Sequence, residues 1–302
     1  MKRKILFLFV VLACLSCEKV LNVTLPYEGN KFVIYGELSP QNVISVQIER
    51  TYPPTGEVEF TMDYLNETQV ILLEDSKEIE TLKRIANTTI FTSAKQYKPK
   101  EGKSYQIRVQ APDFFTALSE PQTIPPPVQI KRAGFVDKIV FSPLNERTPT
   151  KFLEIEFEKP STKGIYLISE LVAQYQGVNT SSNIISDMTI PEFGNPCIYT
   201  YSSRRKIFNG DCFTKERNIL NFFVELKGTA ETLPNQYQEV TVDAVSIKLS
   251  SSNKFYLDFY SQLSPTEGIF KAFETARKTV TNIKDGYGAI LVKNEATFIY
   301  KL

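Results

Sequence analysis

Gly102-Lys103-Ser104-Tyr105-Gln106-Ile107-Arg108-Val109-Gln110-Ala111 is the stretch that decides the fold. Tyr105, Ile107 and Val109 alternate with polar residues behind the turn Glu101-Gly102-Lys103. A period of two places one face of a strand in a core and the other in water. Upstream, Lys31 to Leu38 is rich in Phe, Val, Ile and Tyr and ends at Ser39-Pro40, and Val43 to Arg50 puts Ile44, Val46 and Ile48 on one face. Gln69 to Leu73 and Thr89 to Thr92 are further strand signals, and Thr51 to Gly56 is a loop by its proline and glycine content. Short strands at this spacing predict a β-sandwich.

The same stretch, followed by Ser119-Glu120-Pro121, resembles the late strands of fibronectin type III and immunoglobulin-like modules. Pro121 to Pro127 holds four prolines, three of them consecutive. Proline cannot donate to a sheet ladder and favours extended geometry, so the run reads as a stiff linker closing a first domain over 31–127.

Beyond it, Leu153, Ile155 and Phe157 alternate with Glu154, Glu156 and Glu158, which predicts a strand with a solvated acidic face. Tyr166 to Val172, Phe222 to Leu226 and Val240 to Leu249 are further strands. Between Thr180 and Thr214 lies a polar stretch that reads as a loop and carries Arg204-Arg205-Lys206. Phe255, Phe259 and Leu263 recur at helical spacing behind Ser252 or Asn253 as cap, and Pro265 stops the helix. A weaker helical pattern covers Ile269 to Thr279. Tyr287 to Val292 and Ala296 to Tyr300 predict a terminal hairpin. The fold class is therefore mainly β with minor α. An immunoglobulin-like or fibronectin-III-like sandwich is followed by an antiparallel β-rich domain at 128–302, with its helix near 252–263.

The chain opens Met-Lys-Arg-Lys, continues as an apolar run from Ile5 to Leu15, and closes on Cys14-Leu15-Ser16-Cys17-Glu18. That run suits a signal peptide and is too short to span a bilayer as a helix. The pattern resembles a bacterial lipobox, in which lipid is added to a cysteine thiol. Cys14, behind Val11-Leu12-Ala13, competes with Cys17. Cys17 is favoured because it ends the apolar run where the polar chain begins. The expectation is a signal peptide at 1–16 and a lipidated tether at 17–30. Several acyl chains on one cysteine give stable membrane attachment.

Lys and Arg total 35 against 34 Asp and Glu, a balance that argues against a nucleic-acid footprint. The chain has no histidine, which removes the commonest general base, the serine-triad base and the commonest metal ligand. No cofactor, no metal and no catalytic residue is expected. Tryptophan, the usual stacking residue of sugar grooves, is also absent, although the 15 Tyr and 21 Phe residues can serve instead. Beyond the signal region only Cys197 and Cys212 remain, and an isolated pair in an exported protein reads as a disulfide. A loop of that length is worth roughly 3 kcal/mol. A redox or metal pair is the alternative, against which stands a spacing far from Cys-x-x-Cys.

The chain resembles the lipoproteins of the Bacteroidota assigned to domain of unknown function 4249. Four features carry the likeness: Cys17-Glu18-Lys19; Gly102 to Ala111 with Ser119-Glu120-Pro121-Gln122-Thr123-Ile124-Pro125; the segment around Cys197; and an aromatic helix near Tyr256 to Leu263 with Thr281-Asn282-Ile283-x-Asp285-Gly286-Tyr287-Gly288. The last string is the most specific, whereas Lys271 to Thr279 is more helical and charged than the family's proline-bearing loop. The resemblance implies an accessory role in the cell envelope beside a TonB-dependent outer-membrane receptor.

Several groups invite a chemical reading. Glu154 with Glu156, and Glu57 with Glu59, are paired carboxylates at i, i+2, which on a strand are ordinarily wetted faces. Arg204, Arg205 and Lys206 can grip an anion or a lipid head group, or form a solvated loop cluster. Gly286 and Gly288 read as turn and close-packing glycines. The expected function is a lipid-anchored binding or accessory module of the periplasm or outer membrane, not an enzyme. Tyr199, Tyr201, Arg204 and Arg205 are the expected partner contacts. The alternative is a carboxylate-dependent envelope hydrolase acting on glycans, chemistry that needs no histidine.

Overall fold

A computed structural model describes residues 27–53, 61–141, 147–175, 197–200, 205–213, 218–223, 227–233, 236–263 and 280–302. The described chain is mainly β, with one α-helix. The signal peptide, most of the tether and the pattern at Ile269 to Thr279 lie outside these residues.

The first strands are β1 (Phe32–Leu38), β2 (Ser45–Arg50), β3 (Gln69–Glu74), β4 (Lys77–Arg84), β5 (Ile90–Thr92), β6 (Ser104–Gln110), β7 (Ala117–Ser119) and β8 (Gln122–Thr123). β1, β2 and β5 pair in one layer and β4, β3, β6 and β7 in the other, with β4 also meeting β5 at the corner. Phe32, Ile34, Val46 and Ile48 of one layer and Val70, Leu72, Ile107 and Val109 of the other close a single core. Tyr105 is wholly buried at the start of β6. Its hydroxyl accepts from the Lys100 N–H at 2.8 Å and donates to Glu74 Oε2 at 2.7 Å. A tyrosine tied back to backbone a few residues upstream is the corner that marks immunoglobulin-like sandwiches.

β4 escapes the sequence reading because Lys77–Arg84 is mostly charged, with Leu82 as its buried residue. β8 sits inside the proline-bearing segment, where two residues between prolines pair with β6. The prolines themselves are fastened down. The Pro125 carbonyl accepts from Asn294 Nδ2 at 2.8 Å and the Pro126 carbonyl from Ser251 Oγ at 2.5 Å. Ile124 on one side of the run belongs to the first core and Val128 on the other to a second.

The second group comprises β9 (Gln129–Phe141), β10 (Arg147–Glu158), β11 (Tyr166–Tyr175), β12 (Ile198–Thr200), β13 (Arg205–Asn209), β14 (Asn218–Phe223), β15 (Lys227–Leu233) and β16 (Gln236–Ser252). β14, β10 and β9 form a separate three-stranded sheet. Leu153, Ile155 and Phe157 of β10 pack against Leu167, Leu171, Val245 and Ile247. The helix α1 (Lys254–Leu263) follows, capped by Asn253, whose Oδ1 accepts from the Tyr256 N–H at 3.2 Å. Its aromatic face is core: Tyr256, Leu257 and Phe259 are buried against Tyr166, Ile168 and Ile207.

β17 (Ile283–Lys284) and β18 (Tyr287–Lys301) complete the chain. The expected terminal hairpin is one continuous 15-residue strand. Its first half runs parallel to β1, from Val33↔Tyr287 to Leu38↔Val292, and its second half antiparallel to β16. The polar pair Lys293-Asn294, which in sequence separates two arms, is buried and partnered. Lys293 Nζ meets Glu37 Oε1 at 2.7 Å, and Asn294 holds Pro125. β18 thus feeds three cores: Ile290 and Val292 the first, Ala289 and Leu291 the helix-covered one, and Phe298 and Tyr300 the second.

The string Thr281 to Gly288 makes this docking possible. The Asn282 side chain, 1% exposed, bonds both the N–H and the carbonyl of Ile290, at 3.0 and 2.8 Å. Gly288 has φ +95, and a Cβ there would stand 2.1 Å from the Ile34 carbonyl oxygen. The string is a clasp that lets the last strand lie against the first.

Candidate functional site

Cys197 and Cys212 are joined by a disulfide, with Cα atoms 6.0 Å apart. It ties the entry of β12 to the 3-10 turn Gly210–Cys212, beside a bond from the Asn209 N–H to the Cys197 carbonyl at 2.8 Å. β12 and β13 form a hairpin at one end of the large sheet. Tyr199 pairs with Ile207, and Arg205 with Glu170 of β11. The expected polar loop over 180–214 is corrected to this extent, because both residues are strand positions. Lys206 is buried rather than solvated, since neighbouring Ile207 and Phe208 enter two different cores and hold β13 inward. Cys17, Tyr201, Arg204, Glu57 and Glu59 lie outside the described residues.

The acidic face expected on β10 is not wholly wetted. Glu156 is 4% exposed, and its Oε2 accepts from Arg132 Nε at 2.5 Å; Arg132 also approaches Glu154, at 3.7 Å. Arg132 sits opposite Glu156 in the β9–β10 register. A shared guanidinium compensates two close carboxylates, which is a structural arrangement.

A second carboxylate cluster surrounds the tyrosine corner. Glu74 accepts from both the Tyr97 and the Tyr105 hydroxyls. Burial acts to raise the Glu74 carboxyl, but the two hydroxyl bonds, Lys100 and Lys103 outweigh it and hold the group below its usual range. Burial and the bond to Glu74 push the Tyr105 phenol above its usual range, so it stays a neutral donor.

Among the described residues, a concavity lies on the outer face of β1 and β2, beside α1. It is an open groove of about 800 Å³. β1 supplies Val33 and Tyr35, β2 supplies Gln47 and Glu49, and Thr51 follows them. The other wall is Phe259, Tyr260 and Gln262 of α1 with Val280, Tyr287 and Gly288. Tyr35 is 41% exposed, its ring 6.4 Å from Phe259, and Phe259 meets Tyr260 edge-on at 5.6 Å. Gln47 Nε2 donates to Glu49 Oε1 at 2.6 Å. Gln262 grips Val280 at both ends, accepting from its N–H at 2.7 Å and donating to its carbonyl at 3.2 Å. Strand alternation assigns Tyr35, Gln47 and Glu49 to solvent, so a sequence reading passes over them. The available signal is Phe32-Val33-Ile34-Tyr35, apolar on consecutive positions and hence on both faces of β1.

Among the described residues no group of three or more Cys, Asp or Glu is placed to hold a metal ion, and no helix is long and apolar enough to cross a membrane. A family model described as "Domain of unknown function (DUF4249)" matches residues 18–299. No curated protein and no solved structure matches the chain.

Proposed function

The chain belongs to the DUF4249 family, and from that membership we propose that it is a lipid-anchored binding or accessory module of the bacterial cell envelope, held at the outer membrane through Cys17 and acting beside a TonB-dependent receptor. The basic start, the Ile5–Leu15 apolar run and the cysteine at its end support the anchor. The observation that carries the binding role is the groove over β1 and β2. It is a preformed concavity on paired strands, mixing aromatic rings with a few placed polar groups, as small-ligand sites do.

The alternative, a carboxylate-dependent hydrolase, needs two carboxylates flanking one bond, about 5–10 Å apart. Glu49 is the one acid among the described lining residues of the groove, and Glu154 with Glu156 is committed to Arg132. Both facts favour binding over hydrolysis. The β12–β13 hairpin supplies a second contact surface, because it ends the sheet and is braced by the disulfide. Tyr199, Tyr201, Arg204 and Arg205 are its proposed contacts.

The test is affinity isolation of the anchored chain from envelope extracts. The wild type should bring down a TonB-dependent receptor. Replacing Tyr199, Tyr201, Arg204 and Arg205 together by Ala should reduce that recovery while the urea midpoint stays in place. Equal recovery would remove the hairpin from the interface, and no receptor with either chain would overturn the accessory role.

A further inference from the structure

Resting on the reading of the β1–β2 groove as a binding site, we infer that its ligand is a neutral, hydroxyl-rich ring compound, a saccharide. The aromatic part of the lining comes first. Tyr35 lies open, its ring backed by the buried Phe259 6.4 Å away, and Phe259 in turn meets Tyr260 edge-on. A tyrosine ring supported in this way presents a flat apolar face, against which the C–H side of a sugar ring packs, while the phenol hydroxyl reaches its polar rim.

The polar part is of matching kind. Gln47 and Glu49 alternate on one strand, and the 2.6 Å bond between them fixes both heads. One amide N–H, the amide oxygen and the second carboxylate oxygen then remain to meet hydroxyl groups, which need donors and acceptors together. A volume of about 800 Å³ lies in the range of small-ligand sites, roughly 300–1,000 Å³.

Charge and backbone argue against the other candidates. The Glu49 carboxylate repels an anionic ligand. Aromatic rings beside a carboxylate can also take an ammonium ion. Here the Tyr287 ring already carries a cation of the protein itself, Lys31 Nζ at 5.5 Å from its centre. An extended peptide binds best by adding to an open strand edge. β1 is paired on both sides, with β2 and β18, and β2 is paired with β1 and β5, so the floor offers no such edge.

The experiment applies the full chain, purified from membranes, to an array of neutral and anionic oligosaccharides and titrates the best binder by NMR. At least one neutral oligosaccharide should bind. Tyr35→Ala and Gln47→Ala should each weaken it on the order of tenfold or more, as loss of a stacking face or of hydroxyl partners does. Glu49→Gln keeps the shape and the bond to Gln47 and exchanges one acceptor for a donor, which a hydroxyl can also meet, and should cost less than either. Phe115→Ala, exposed away from this lining, should leave affinity unchanged. Binding to no neutral oligosaccharide, or binding indifferent to Tyr35→Ala, overturns the inference. So does competition by tetramethylammonium that disappears in Glu49→Gln, which would identify a cation site. If Tyr35→Ala abolishes recovery of an envelope partner while no saccharide binds, the groove remains a binding site and the ligand class alone falls.

Discussion

Gly288→Ala isolates the closest backbone approach in the clasp. At this position φ is +95, and a Cβ would stand 2.1 Å from the Ile34 carbonyl oxygen and 2.8 and 2.9 Å from Ile34 C and N. The obstacle is backbone in a paired strand, so it cannot rotate aside. The positive φ costs an L-residue about 1–2 kcal/mol. To clear the oxygen, β18 must withdraw by ~1 Å from β1, which weakens about two ladder bonds beside Ile34↔Gly288, each worth ~1 kcal/mol. The expected loss is ~3–4 kcal/mol. Gly102→Ala is the matched control, with φ +73 and nothing within 4 Å of its Cβ, and should lose only the conformational part. Urea unfolding followed by far-UV circular dichroism reads the difference. At a slope of ~3 kcal/mol/M, Gly288→Ala moves the midpoint down by about 1 M and Gly102→Ala by about half of that or less. Equal shifts for the two variants would refute the account of a strand wedged against Ile34.

The other predictions concern the corner, the carboxylate, the disulfide and the anchor. Tyr105→Phe leaves the Lys100 N–H and Glu74 without the hydroxyl and should lower stability by about 1–3 kcal/mol in the same urea titration; no loss would strip the corner of its role. Glu74 has its carboxyl held below the ordinary 4.5, so its contribution is present above that value and is lost as pH falls through the lower, folded one. The wild type should therefore lose its stability margin over Glu74→Gln as the pH is taken below 4.5, and a margin that grows on acidification would reverse the assigned sign. Converting Cys197 and Cys212 to Ser together opens a 15-residue separation and should cost roughly 3 kcal/mol, seen as a lower melting midpoint. Cys17→Ala should appear in the soluble fraction or as uncut precursor while Cys14→Ala is processed; the opposite pattern moves the lipid to Cys14.

Much of the sandwich was legible because its signals are local. Ile44, Val46 and Ile48, and Tyr105, Ile107 and Val109, each repeat every second residue, and all six are buried. The Asn253 cap and the aromatic spacing located α1 to within a residue or two. β4 was not legible, because its place between β5 and β3 leaves Lys77, Glu78 and Lys83 facing outward and only Leu82 buried. The groove was not legible for a related reason. Its strand residues Tyr35, Gln47 and Glu49 look like ordinary outward positions until α1, some two hundred residues later, closes one side over them.

By itself the sequence determined the class of the chain and its local parts. The strands with a clear period of two, the helix cap, the lipobox-like start and the string Asn282-Ile283-x-x-Gly286-x-Gly288 all depend on residues a few positions apart, and the cysteine pair on there being two cysteines beyond the start. Only the tertiary structure decided what that string is for. Parallel pairing of Ile34 with Gly288 joins residues far apart in the chain, and nothing in either neighbourhood names the other. The two glycines record that some backbone must come close, without saying which. Likewise Lys293 and Asn294 read as a polar break between two strands, and become the middle of one strand when Glu37 and Pro125 are brought to meet them. Desolvating a polar pair is tolerable only where partners are supplied, and in this chain the partners arrive from segments remote in sequence.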